Sequence, residues 1–146
     1  MMPAISIMTP EQVDLIRRSF DAVWPVRSKL AAAFYSRFFE LAPDAQRLFP
    51  SDMERQHLKL MDSIAAIVGA LDQHELFQSI ISQAGRRHAQ FGAKPSHFAA
   101  FGDALIWGLE HEHGPAFTPE VKKAWITLYD AVQAEMMRAG SQRKDD

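Results

Sequence analysis

Apolar residues recur at helical spacing along almost the whole chain, and no stretch alternates β-branched with polar residues over the length of a strand. That periodicity predicts an all-α protein, and prolines and caps divide it into elements. Thr9 and Gln12 have the spacing of a capping box, with Pro10 at the first helical position, where no backbone N–H is needed. Val13, Ile16, Phe20 and Val23 share one face of the helix so opened, which Pro25 is expected to end. A second helix is predicted over about 26–42, carrying Leu30, Phe34, Tyr35, Phe38 and Phe39, and Pro43 then turns the chain into a short segment ending near Phe49 and Pro50. The next helix, over about 52–71, presents Leu60, Ile64, Ile67, Val68 and Leu71, with Gln73 and His74 at its end. Another spans 76–90 and is left through Gly92. Pro95 opens a helix with Phe98, Phe101, Leu105, Ile106 and Leu109, which stops at Gly114 and Pro115. Thr118, Pro119 and Glu120 repeat the cap-then-proline signature before a last helix with Val121, Trp125, Leu128, Val132 and Met136 inside. Six main helices plus a short third one result, a pattern that several all-α architectures share.

At 146 residues the chain fits one domain. Residues 9–139 form its expected body, 1–8 an N-terminal extension and 140–146 a polar C-terminal tail. The absence of cysteine excludes disulfides and thiolate metal sites and makes a reducing cytoplasm the expected location. Sixteen Lys and Arg against 18 Asp and Glu, with no basic stripe interleaved with aromatics, argue against a nucleic-acid partner. The N-terminus lacks the basic and apolar regions of a signal peptide, and no later apolar run is long enough to cross a bilayer, so no membrane partner is expected.

Particular residues narrow the choice of fold. The run Gly85-Arg86-Arg87-His88-Ala89-Gln90-Phe91-Gly92, then Pro95-Ser96-His97-Phe98 and Gly102-Asp103-Ala104-Leu105, closely resembles the proximal region of bacterial single-domain globins and of neuroglobin. Gly114-Pro115-Ala116-Phe117-Thr118-Pro119 and Ala124-Trp125-Ile126-Thr127-Leu128-Tyr129 extend the likeness, which covers the chain from about Thr9 to Met137. Two globin landmarks agree in spacing: Pro43 opens a short helix and Phe49 follows six residues later. Tyr35 lies 14 residues before Phe49, and Gln56 lies 32 residues before His88, with Leu60 one turn beyond. The resemblance implies a globin fold around haem b (iron protoporphyrin IX), with His88 as the iron ligand and Tyr35, Gln56 and Leu60 around the bound gas.

The chemistry suits those residue types. Haem iron in a globin needs one strong axial ligand from the protein and a free position opposite, and a neutral imidazole serves in the first role. Inside a helix the second nitrogen of His88 can donate to the Ala84 carbonyl one turn earlier, fixing tautomer and ring orientation. Tyr35 and Gln56 offer donors to a polarised gas ligand; the alternative for Tyr35 is a core aromatic with its hydroxyl at the surface. Phe49 is expected to stack on the porphyrin, and Phe39, Leu60, Ile64 and Phe98 to line an apolar wall, a role that ordinary core residues of the same kind would share. Lys59, Arg87 and Lys94 are the candidate cations for the two propionates, or solvated surface charges. His57 neighbours Gln56 and is the candidate internal sixth ligand, whereas His74, His97, His111 and His113 read as surface or capping residues.

Reversible binding of dioxygen, carbon monoxide or nitric oxide is the expected function, because the residues supply a ligand site and nothing that processes another substrate. The alternatives are nitric oxide dioxygenation with an external reductase, or gas sensing through a separate partner. Flavohaemoglobins, which resemble this chain in their globin part, place a tyrosine and a glutamate around the ligating histidine. Here Phe98 aligns with the tyrosine and no glutamate falls near Gly140, departures that weaken the case for an electron-pushing site.

Overall fold

The computed structural model describes residues 8–142. Among these described residues six α-helices follow one another: α1 (Pro10–Val23), α2 (Arg27–Leu41), α3 (Glu54–Gly69), α4 (His74–Gln90), α5 (Pro95–His113) and α6 (Pro119–Gln142). Three 3₁₀ turns, Trp24–Val26, Pro43–Leu48 and Gly114–Ala116, punctuate them. Both halves of the capping box form at the start of α1: Gln12 N–H donates to Thr9 Oγ1 (3.1 Å) and Thr9 N–H to Gln12 Oε1 (3.0 Å). Thr118 caps α6 with a single bond of this kind, accepting from Val121 N–H at 3.3 Å.

α1 ends at Val23, just ahead of Pro25 as expected, and Pro25 falls in the first turn of the 3₁₀ segment that follows, where backbone N–H groups have no intrahelical partner to lose. Two other expected boundaries shift. Gln73 and His74 open α4 rather than close α3: Gln73 supplies the carbonyl that accepts from Phe77 N–H at 2.8 Å, and α3 has already ended at Gly69. Gly140 and Ser141, expected to start the polar tail, are still helical, and Gly140 is buried against α4. Met8, counted with the N-terminal extension, is likewise buried in the core. The remainder of the extension and of the tail, 1–7 and 143–146, lies outside the described residues.

The main helix pairs are α4 on α6 and α2 on α5, with α1 also against α6. Close approach of α4 and α6 depends on glycine. A Cβ on Gly85 would fall 2.3 Å from the Met136 carbonyl oxygen, so only hydrogen fits between the two backbones. The shared core includes Ile16, Leu30, Phe34, Phe77, Leu109 and Trp125, each at most 2% exposed.

One buried polar knot crosses that core. Trp125 Nε1 donates to Ser19 Oγ (2.8 Å), whose hydroxyl donates to the Ile16 carbonyl (3.0 Å). His113 Nε2 donates to the Ser19 carbonyl at 2.8 Å, so His113, expected at the surface or in a cap, instead ties the end of α5 to α1. Ser19→Ala is expected to destabilise the protein by about 1–3 kcal/mol, the penalty for a buried indole N–H without a partner. Urea unfolding measures this, and an unchanged midpoint would mean that the knot contributes nothing net.

Candidate functional site

The residues singled out above gather in two groups. The first is built by α2, α3 and the turn between them. Tyr35 and Phe39 stand one turn apart on α2, and Pro43–Leu48 delivers Phe49 in extended conformation, with φ −117° and ψ 153°. Tyr35 is buried, at 4% exposure, with the rings of His57, Phe49 and Phe39 at 5.2, 5.5 and 5.8 Å. His57 lies nearly parallel to Tyr35, at 12°. Gln56 Nε2 donates to the Tyr35 hydroxyl oxygen at 3.3 Å. Tyr35 is the acceptor in that bond, so its own proton stays available for a further partner. Burial pushes the Tyr35 pKa above the usual phenol value, against the lowering effect of Gln56, and so keeps the group a donor. Leu60 and Ile64, both buried, continue the inner face of α3.

The second group is carried by α4 and α5. His88 sits in the last turn of α4, and its Nδ1 lies 2.7 Å from the Ala84 carbonyl, the acceptor that helical spacing predicts. A carbonyl can only accept, so Nδ1 carries the proton and Nε2 keeps a lone pair suited to a metal. His88 is exposed, and the half-buried Phe98 of α5 approaches it with ring centroids 6.1 Å apart. Gly92, at φ 87°, turns the chain out of α4 in a conformation that side chains rarely adopt. Phe91, just before it, is 65% exposed, an apolar group next to the candidate ligand that the motif contains but that sequence reasoning assigned no role. A single exposed imidazole with its lone pair free, beside aromatic side chains that are not fully buried, fits a flat apolar cofactor that brings a metal with its other ligands in place.

The candidate cations differ. Lys59 and Arg87 are exposed, whereas Lys94 Nζ lies 3.6 Å from Asp44 Oδ2 and so already has a carboxylate. His97 departs from its expected surface position, being only 6% exposed. It does cap: its Nδ1 accepts from Lys94 N–H at 3.1 Å. Its Nε2–H then donates to Asp44 Oδ2 at 2.9 Å, pinning the start of α5 to the turn that carries Phe49. That hydrogen bond, with help from the charge of Lys94, holds the Asp44 carboxyl below the usual range. The partners are 53 residues apart, and the only sequence signal for His97 is its place three residues after the cap position. His74 and His111 are exposed as expected, His111 stacking on Trp107 at 5.1 Å.

Residues 32–136 match the globin family model. Over 95% of its length the chain is 29% identical to the neuroglobin of Tetraodon nigroviridis, covering 96% of that protein. It is also 29% identical to the neuroglobin of Danio rerio, over 85% of this chain and 87% of that one. Among solved structures it resembles a hexacoordinated haem protein from an anhydrobiotic tardigrade, with a TM-score of 0.84, 14% identity, and 92% of this chain and 96% of that one covered. An engineered carbene transferase from Rhodothermus marinus, whose parent is described as a candidate nitric oxide dioxygenase, gives 0.83 at 23% identity, covering 94% and 96%. These two likenesses establish the fold, and the family match spans well over half of the sequence. The chain belongs to the globin family.

Proposed function

We propose that this globin holds haem b on His88 Nε2 and binds dioxygen reversibly, with carbon monoxide and nitric oxide as other ligands of the same site. The observation that carries this reading is the 2.7 Å contact of His88 Nδ1 with the Ala84 carbonyl, which leaves the other nitrogen available for coordination. When bound, ferrous haem supplies an open coordination position for a diatomic gas. Tyr35 serves as hydrogen-bond donor to that gas, and Gln56 holds the phenol in place by donating to its oxygen. Phe39, Phe49, Leu60, Ile64 and Phe98 supply apolar surface that keeps water from the metal, while Lys59 and Arg87, exposed and without an ion-pair partner among the described residues, serve the propionates. Lys94 serves less well there, because it is shared with Asp44.

The partner of His88 also bears on what kind of globin this is. A neutral carbonyl, rather than a carboxylate, polarises the imidazole weakly, which supports a carrier over an electron-pushing enzyme. His57 is stacked on Tyr35, and this supports a free sixth position. Visible absorption of the ferric, reduced and gas-bound protein, with haem counted per chain, tests the reading. One haem per chain, a five-coordinate reduced form and a stable oxygen adduct are expected. A six-coordinate reduced form would make His57 an internal ligand, and no haem uptake would overturn the proposal.

Tyr35→Phe removes one donor and little volume. A hydrogen bond to a strongly polarised acceptor contributes about 1.5–3 kcal/mol, so oxygen dissociation should accelerate roughly tenfold to a hundredfold. Stopped-flow release kinetics read this directly, and an unchanged rate would remove Tyr35 from the ligand's surroundings.

A further inference from the structure

Tyrosine and tryptophan aside, the buried polar side chains among the described residues are Ser19 and His97. Ser19 belongs to the knot with Trp125, whereas His97 serves neither the core nor the haem. Capping alone does not explain it. A Glu or Gln three residues after the cap position, lying at the surface, accepts from the cap N–H equally well. The imidazole adds a second reach, from Nε2–H to Asp44 Oδ2 at 2.9 Å, and so polar a ring is tolerated in the interior because both its nitrogens are partnered.

This bond falls where the fold is otherwise loosely tied. The haem-site residues are carried by two bodies, one made of α2, α3 and the turn between them, the other of α4 and α5. Among the described residues, every side-chain hydrogen bond and ion pair between these two bodies ends on Asp44, which accepts from His97 and lies 3.6 Å from Lys94 Nζ. Deeper in, apolar packing joins them: the Phe101 ring of α5 lies 4.6 Å from Phe34 and 5.7 Å from Phe38, both buried in α2. The turn itself has few anchors. No side chain caps its start at Ala42, and of Pro43–Leu48 only Ala45 is buried. Phe49 at its end packs on Tyr35, while Phe98, the residue after His97, approaches His88. The Asp44–His97 bond is thus five residues from a haem-site ring on one side and one residue from a haem-site ring on the other.

Resting on the proposal that His88 holds haem, we infer that the Asp44–His97 hydrogen bond is a clasp, a positioning contact that keeps the Phe49 turn against the start of α5 and so sets how slowly haem leaves. The packing of Phe101 on α2 is the fixed end of this arrangement and the clasp its opening end. Asp44 acts through His97.

Transfer of ferric haem from the full chain to an acceptor protein tests it. Asp44→Ala should lose haem roughly tenfold faster than the wild type. Asp44→Asn, whose side-chain oxygen still accepts from His97, should lose it no more than about threefold faster, because a neutral acceptor keeps the bond in weaker form. His97→Glu retains an acceptor for Lys94 N–H but has no proton to give Asp44. It should lose haem at least as fast as Asp44→Ala, and removing Asp44 as well should not speed it further. Hydrogen exchange of the haem-free protein gives a second readout. Asp44→Ala should speed exchange at Phe49 and Phe98, whose N–H groups bond to the Gln46 and Lys94 carbonyls on either side of the clasp, and leave Phe77 as it was. Circular dichroism checks that each variant is folded. Equal haem loss from the alanine and asparagine variants overturns the clasp, and so does unchanged exchange. Slower loss from Asp44→Ala overturns it too, and would mean that Asp44 only withholds Lys94 from the propionates. A wild type that takes up no haem overturns the proposed function and the role in haem loss with it, while exchange at Phe49 and Phe98 still judges the tie itself.

Discussion

His88→Ala yields a protein that keeps its helical fold and loses its haem. The fold survives because His88 is exposed and its one side-chain hydrogen bond is local, to Ala84 within the same helix, with only the half-buried Phe98 ring approaching it from α5. Alanine is also the better helix former, by up to about 0.7 kcal/mol, so the haem-free variant should melt no earlier than the haem-free wild type. Haem retention follows the opposite course. Removing an outer partner of a metal ligand typically costs 10–100-fold in affinity, and removing the ligand itself should exceed that. The variant therefore loses the stabilisation that haem gives the wild type by mass action, and the melting temperatures of the two should separate only when haem is added. Thermal melts with and without haem, alongside transfer of haem to an acceptor protein, measure both effects. Added imidazole should fill the vacated space and restore a histidine-like spectrum. If the variant held haem with a wild-type spectrum and no imidazole, the ligand would have to be another histidine, with His57 the first to test.

Local signals made the helices legible and long-range contacts remained hidden. The starts of α1, α5 and α6 could be read because Thr9 with Gln12, Pro95, and Thr118 with Pro119 act within one turn of the chain. The boundary between α3 and α4 could not, since no side chain caps Gln73 and no proline or glycine marks the start of α4. Tyr35, Gln56 and His88 are candidates by motif and spacing, and the hydrogen bond of Gln56 to Tyr35 brings two of them together. His97 with Asp44 and Trp125 with Ser19 join residues 53 and 106 positions apart. Nothing in the periodicity of either partner announces the other. Buried polar groups of this kind are the part of a fold that apolar patterning describes least, because each is satisfied by one specific and distant atom.

The glycine at the α4–α6 contact is a second feature that periodicity leaves silent, and it sets the other large effect. Gly85→Ala would bring a Cβ to 2.3 Å from the Met136 carbonyl oxygen and 2.7 Å from its Cα, distances that no rotamer change can relieve because both atoms are backbone. The helices must separate, and they are held together one turn further on by Gly140, where an added Cβ would sit 3.0 Å from both Ala89 Cβ and the Gly85 carbonyl oxygen. Glu135 adds a tie by accepting from Ser82 at 3.1 Å. Overpacking of a close contact costs about 1–3 kcal/mol and occasionally more, against a gain of about 1 kcal/mol in helix propensity from losing the glycine. With only backbone to yield, the upper part of that range applies, and a net loss of about 2 kcal/mol lowers the melting temperature by roughly 4–8 °C in a chain of this length. Gly69→Ala is the control: it ends α3 with nothing within 4 Å, and it should be neutral or slightly stabilising. Because α4 carries His88, separating it from α6 also moves the imidazole, so the haem-bound Gly85→Ala protein should show a shifted iron–histidine stretching band, which the Gly69 variant should not. Equal melting temperatures for the two variants would mean that α4 and α6 do not meet as closely as this contact requires.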